Sequence, residues 1–384
     1  MAAGPPSASR LVKALNWEPI DRVPIFPPIP WDPRAWPPEG RPAGWMGEDN
    51  YLQVAELCAR HCDVIVGTGA LEAIFDRRFM LIPQEYIEVE SQSTVNGRTT
   101  IRYRVRTPKG ELYTTEAFDS GVATSWYPEP LLKDREDVAR IKSVPYRFDP
   151  PDLDRLFEDR ARLGDRGLMQ IGVSTPLVST GRMFEFGHFL EWAASERALI
   201  EDLIAIHAER IHERLQWLLE HGVGPVYWFG GSEQATPPMM SRGFYEDLVG
   251  RYDEPLMQLV RRHGCYVHVH CHGKVNGVLE RVMDMGAHLF DPCEPPPDGD
   301  LDFADAKRRA GGRLVLLGNI EFRHLEFATP DEIERLVADA ICRGGKEGMF
   351  LYPSATGIAR ISDRYRDNAI RYIEAGLRYG GISP

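Results

Sequence analysis

Six cysteines in 384 residues are too few for a disulfide framework, and that scarcity suits a reduced, cytoplasmic compartment. No apolar run approaches the roughly 18 residues of a membrane span. The opening ten residues are small and proline-rich, lack the apolar stretch of a signal peptide, and read as a disordered tail over 1–10. Positive charge is in deficit: 45 Lys plus Arg face 57 Asp plus Glu, a formal charge of −12. That balance argues against nucleic acid or an anionic membrane as the partner. Three phosphate- and acyl-transfer signatures are absent: a Gly-x-Gly-x-x-Gly opening a helix, a Gly-Lys-Ser/Thr P-loop, and a Gly-x-Ser-x-Gly nucleophile elbow. Internal repeats and long polar linkers are missing too. Function has to come from individual sites.

What is present is ordinary globular material, 43% apolar and 27% charged, with length for a large core. Short apolar runs at 23–26, 63–66, 168–173, 225–229, 265–270, 288–291, 314–317 and 349–352 alternate with helical periods at 196–220, 244–263, 273–285 and 330–343. That alternation predicts parallel βαβ units, and about eight strands is the number that closes a (β/α)₈ TIM barrel. A doubly wound open sheet is the alternative. One stretch breaks the rhythm: Asn96-Gly97 supplies the positive φ angles of a type I′ turn between extended runs at 86–90 and 99–106, and a third run at 111–117 follows, so 86–117 is expected as a β-hairpin insertion, an antiparallel hairpin or meander. The rest, 11–380, is expected to be a single decorated barrel. Prolines crowd 27–38 around Trp31 and Trp36, which excludes a helix and leaves a covering loop or a lid over a pocket.

The densest chemistry lies in His268-Val269-His270-Cys271-His272-Gly273. Side chains alternate along a strand, so the three histidines share one face and Cys271 takes the other. His270 and His272 fall at the strand's C-terminal end, where barrel enzymes place their chemistry, and two imidazoles suit Zn²⁺. His268, one pleat repeat deeper, reads as a packed, hydrogen-bonded residue. A third ligand has to come from a neighbouring strand end. The next strand offers Cys293 and Glu294, with Asp291 and Glu294 also able to orient an imidazole. The preceding strand runs into Gly230-Gly231-Ser232-Glu233, making Glu233 a third ligand or a general acid/base. Asn319, after Leu317-Gly318, is a candidate donor to a substrate oxygen or a loop cap.

The opening 15–24, Leu15-Asn16-Trp17-Glu18-Pro19-Ile20-Asp21-Arg22-Val23-Pro24, resembles that of the uroporphyrinogen decarboxylase superfamily. The His-x-x-Gly strand end, Leu317-Gly318-Asn319 and Thr329-Pro330-Asp331-Glu332-Ile333 extend the likeness over about 11–380. It implies a (β/α)₈ barrel with its site at the mouth, and a homodimer. True uroporphyrinogen decarboxylases carry an early Arg-Gln-Ala-Gly-Arg-Tyr segment whose arginines hold substrate carboxylates. Here that region reads Trp31-Asp32-Pro33-Arg34-Ala35-Trp36. The cobamide-dependent methyltransferase branch holds zinc with a His-x-Cys-Gly strand end and a distal cysteine. Aligned on Gly273, His270 matches the histidine, His272 replaces the cysteine, and Ser354-Ala355 stands near the distal position. The resemblance therefore implies a zinc-assisted, methyltransferase-like enzyme moving a one-carbon group between a small substrate and a corrinoid or folate carrier, with a corrinoid protein as a possible partner. A decarboxylase-like enzyme of tetrapyrrole biosynthesis, or a metal-free ligand-binding barrel, is the alternative.

Overall fold

Seven parallel strands form the frame in a computed structural model that describes residues 6–68, 75, 78–120, 125–355 and 360–381. They are β1 (Ile65–Gly67), β6 (Leu168–Ser174), β7 (Val226–Gly230), β8 (Tyr266–His270), β9 (Leu289–Asp291), β10 (Val315–Ile320) and β11 (Met349–Pro353), paired in that order. Strands β2 (Ile87–Val95), β3 (Arg98–Thr107), β4 (Gly110–Asp119) and β5 (Trp126–Glu129) make a separate antiparallel sheet. The expected hairpin over 86–117 is thus the first part of a four-stranded meander. Its turn is at Asn96-Gly97, both residues having positive φ.

The eighth expected strand, at 23–26, is not a regular strand. Ile25 makes a single parallel bridge to Leu351 of β11, and the Asp63 amide donates to Ile25 O at 2.7 Å just ahead of β1. Pro24 and Pro27 have no N–H to extend a ladder, which explains why pairing stops after one residue. The segment is instead pinned by Asp63, fully buried, whose carboxylate accepts from Arg10 (2.6 Å), Arg22 (2.7 Å) and the Ile25 amide (3.1 Å). Arg10 belongs to a helix, Ser7–Leu15, that the expected tail over 1–10 does not anticipate; residues 1–5 lie outside the described ones.

Alternate residues of the parallel strands fall into two distinct buried clusters. Met169, Tyr227, Val267, Phe290, Leu316 and Leu351 pack under the connecting helices. Leu168, Val226, Leu289, Val315, Leu317 and Phe350 gather instead with Phe26 and with Leu11, Ala14 and Leu15 of the N-terminal helix. The sheet therefore curls about an inner face whose N-terminal end is apolar and plugged by that helix. Two residues further along each strand, the same inner face carries Gln170, Trp228, His268, His270, Asp291, Asn319 and Tyr352. Chemistry sits where the inner face turns polar.

Candidate functional site

The His-bearing strand β8 pairs in register with β7 and β9, so Gly230 and Asp291 flank His270. Asp291 is fully buried and bridges two histidines: His268 Nε2 donates to Oδ1 (2.6 Å) and His270 Nδ1 donates to Oδ2 (2.9 Å). The Tyr352 hydroxyl from β11 also hydrogen-bonds this carboxylate. Burial alone would raise the Asp291 pKa, but the imidazoles of His270 and His268 hold it well below the usual carboxylate range. Burial lowers the His270 pKa, and Asp291, with Glu233 and Glu294 beyond, more than offsets it, so the ring's pKa is raised.

His268 has both nitrogens committed, Nδ1 being hydrogen-bonded to the Gln170 side-chain amide at 2.8 Å. Among the described residues, His270 and His272 each commit only Nδ1. His272, past the end of β8, donates to Glu294 Oε1 (3.0 Å), while the Gly273 amide donates to Glu294 Oε2 (2.9 Å). Their rings meet nearly perpendicular with centroids 4.6 Å apart, and His270 lies 5.0 Å from Trp228. Side-chain exposure climbs from 5% at His268 through 21% at His270 to 40% at His272, so only the upper two open toward a ligand. A carboxylate on Nδ1 fixes the ring and leaves Nε2 as the free donor, the arrangement metal-binding histidines use.

Glu233 reaches the same region from the other side. A 3₁₀ turn, Ser232–Ala235, follows β7, and the Glu233 Oε2 atom is buried without a hydrogen-bond partner among the described residues. Two glycines shape this approach. A Cβ on Gly230 would lie 2.3 Å from the Trp228 ring, and Gly231, at φ +99°, would meet Val178 at 2.2 Å.

The structure brings His270, His272, Glu233 and Glu294 together and places Cys293 elsewhere. The Cys293 Cβ lies where a side chain on Gly318 would point, beside Phe303, in the cluster under the outer helices. Burial pushes its thiol up. Glu294, expected as a catalytic group, has both oxygens occupied in orienting His272 and Gly273. Asn319 lies on the inner face of β10 opposite Tyr352 of β11, with no side-chain hydrogen bond among the described residues. Among those residues no three His, Cys, Asp or Glu groups are drawn into a metal-ligand cluster. One group escaped the sequence reasoning: Glu321, 5% exposed, has an unpartnered Oε1, and burial with Glu294 nearby pushes its carboxyl up to about 7. Nothing local in the sequence distinguishes it, because its neighbours come from another strand end.

The profile of the family described as "Uroporphyrinogen decarboxylase (URO-D)" matches residues 125–359. The chain belongs to that family. Among solved structures, a methyltransferase from Methanosarcina mazei is similar over 97% of this chain and 99% of its own, with a TM-score of 0.60 and 16% identity. A B12-independent methionine synthase from Shewanella sp. W3-18-1, in complex with selenomethionine, follows at TM-score 0.49 and 10% identity, covering 93% of this chain and 97% of that one. No curated protein matches the sequence. The methyltransferase shares the fold of this URO-D chain. Its identity is too low to carry an activity across.

Proposed function

We propose that this URO-D chain is a zinc-assisted, methyltransferase-like enzyme that moves a one-carbon group between a small substrate and a corrinoid or folate carrier, the corrinoid borne by a partner protein. The frame is read as a (β/α)₈ barrel whose eighth strand is shortened to Ile25. One observation carries the reading: His270 and His272 are adjacent, each held at Nδ1 by a buried carboxylate, each with Nε2 unengaged. The donor types suit zinc, two imidazole nitrogens with the orphaned Glu233 oxygen as third ligand, and binding would have to draw the three together, since they do not form a ligand cluster among the described residues. Zinc bound there would lower the pKa of a coordinated oxygen or sulfur nucleophile. Asp291 and Glu294 would hold the two rings, Asn319 would orient a substrate oxygen, and Glu321 would hold a proton at the mouth near neutral pH.

The decarboxylase alternative finds no grip for a polycarboxylate in the region expected to supply it. Arg34 stands there, but it forks onto Asp32 (2.7–3.0 Å) and has Asp159 at 3.5 Å.

Elemental analysis of purified protein tests the proposal. Near-stoichiometric zinc is expected, lost with the activity in His270→Ala or His272→Ala. His268→Ala should lower stability and keep the metal. Glu233→Gln should weaken zinc by orders of magnitude, and Cys293→Ser should leave it unchanged. Full activity after chelation, with His272→Ala merely less stable, overturns the metal role.

A further inference from the structure

A second space adjoins the inner face on the side away from the histidines. The proline-rich loop after Ile25 encloses a cavity of about 630 Å³, within the range of small-molecule sites, roughly 300–1,000 Å³. Its walls include Trp31, Trp36 and Tyr51. Trp31 also lines a smaller space of about 260 Å³ bounded by Phe26, Ile65 and Tyr352. Tyr352 in turn hydrogen-bonds Asp291, which holds His270. The two spaces share Trp31 as a wall, and the smaller one has Tyr352, from the polar end of the inner face, on its far side.

Two features fix what this vestibule accepts. The first is a missing partner: Trp31 Nε1 is buried and makes no hydrogen bond among the described residues. An indole N–H can only donate, and buried donors are nearly always paired, so the site calls for an acceptor on whatever fills it. The second is that both cations already face carboxylates. Arg34 is forked onto Asp32, has Asp159 at 3.5 Å and donates to Gly67 O at 3.0 Å, with only Nη1 left without a hydrogen bond among the described residues, while Arg41 is taken by Asp49 and Gly47 O. An anionic ligand entering here would lose hydration without gaining a counter-charge. Aromatic walls, two unmatched donors at Trp31 Nε1 and Arg34 Nη1, and cations already faced by carboxylates describe a flat, neutral guest that carries an acceptor.

We propose that the vestibule binds the ring of an aryl ether or phenol, with its oxygen accepting from Trp31 Nε1. The assignment rests on the one-carbon reading only for the group such a ring would bring to the histidines; the binding itself needs neither zinc nor a carrier.

The test is calorimetric titration of zinc-free protein with anisole, ethylbenzene, cyclohexyl methyl ether and benzoate. Anisole and ethylbenzene share a shape and differ in the acceptor; cyclohexyl methyl ether keeps the oxygen and loses the ring. Anisole should bind about two- to tenfold more tightly than ethylbenzene, the worth of one neutral hydrogen bond, and more tightly than the other two. Trp31→Phe keeps a ring in place and removes the donor, so it should bring anisole down to the affinity of ethylbenzene. Anisole that fails to bind, or binds no better than ethylbenzene or cyclohexyl methyl ether, overturns the proposal on the unmodified protein alone. So does benzoate binding more tightly than anisole. Because no turnover is read, these results stand whatever the zinc measurement shows: protein that carries no zinc as isolated would count against the metal, while its preference for anisole would decide the vestibule alone.

Discussion

Glu321 offers the sharpest quantitative check. It follows β10 directly, is 5% exposed, and leaves Oε1 without a partner. Burial, then the charge of Glu294, lifts its carboxyl from the ordinary 4.5 to about 7. Between those two values the folded state binds a proton that the unfolded chain has released. Stability therefore falls as pH rises from about 4.5, and the loss is complete once pH passes about 7. At 1.36 kcal/mol for each pKa unit, the full shift corresponds to about 3 kcal/mol. Partial solvation of the carboxyl brings the expected effect to about 1–3 kcal/mol.

Glu321→Gln removes the titration while keeping the shape. Urea unfolding of both proteins in the presence of a chelator gives the comparison. At pH 4.5 the two should differ little, since the native carboxyl is protonated and resembles the amide. At pH 8 the variant should be the more stable by about 1–3 kcal/mol. A difference that is the same at both pH values would show that Glu321 ionises normally, and the argument from burial and Glu294 would fail. A gain confined to high pH would establish that the site's mouth keeps a protonated carboxyl where a general acid is useful.

Other expectations follow from single contacts. Asp63→Asn should cost about 3–5 kcal/mol, because Arg10 and Arg22 would be left around a neutral side chain in a buried site; a melting temperature within a degree of the parent would contradict this. Anaerobic incubation with uroporphyrinogen should yield no coproporphyrinogen, since Arg34 is already committed to Asp32 and Asp159; appreciable turnover would reveal cationic groups that serve its carboxylates from elsewhere.

Seven of the eight strand positions were legible because buried parallel strands are short apolar runs between helical periods, a signal local to each segment. The misses have local causes in proline and glycine as well as long-range ones. The run at 23–26 reads as a strand, yet its prolines leave one bridge, and Asp63 with its two arginines does the holding. The meander exceeds the three expected runs by one strand, because β5, Trp126–Glu129, carries Pro128 and has little strand character of its own. The helix expected from 273 begins at Leu279, after Gly273, Asn276 and Gly277 have passed. The one expected over 244–263 is interrupted by a π turn, Glu246–Gly250, ahead of Pro255.

The site divides along the same line. Period-two alternation was enough to place His268, His270 and His272 on one face and to rank His268 as the deepest, because that inference needs only the strand's own geometry. It also sent Cys271 to the opposite side, where it is buried. Alternation does not extend past a strand's end, and Cys293 lies two residues beyond β9, so its proximity in sequence to Asp291 said nothing about where its thiol points. Glu294, one residue further, does reach His272, through a loop that folds back to offer both oxygens. What decides the chemistry is then the order of the inner face. Apolar residues and the N-terminal helix fill one end, a hydrogen-bonded layer of Gln170, His268 and Asp291 comes next, and only above it do His270 and His272 keep a free nitrogen. The lower layer uses up its donors in holding the upper one still, and a ligand entering from the mouth meets rings whose orientation is already fixed.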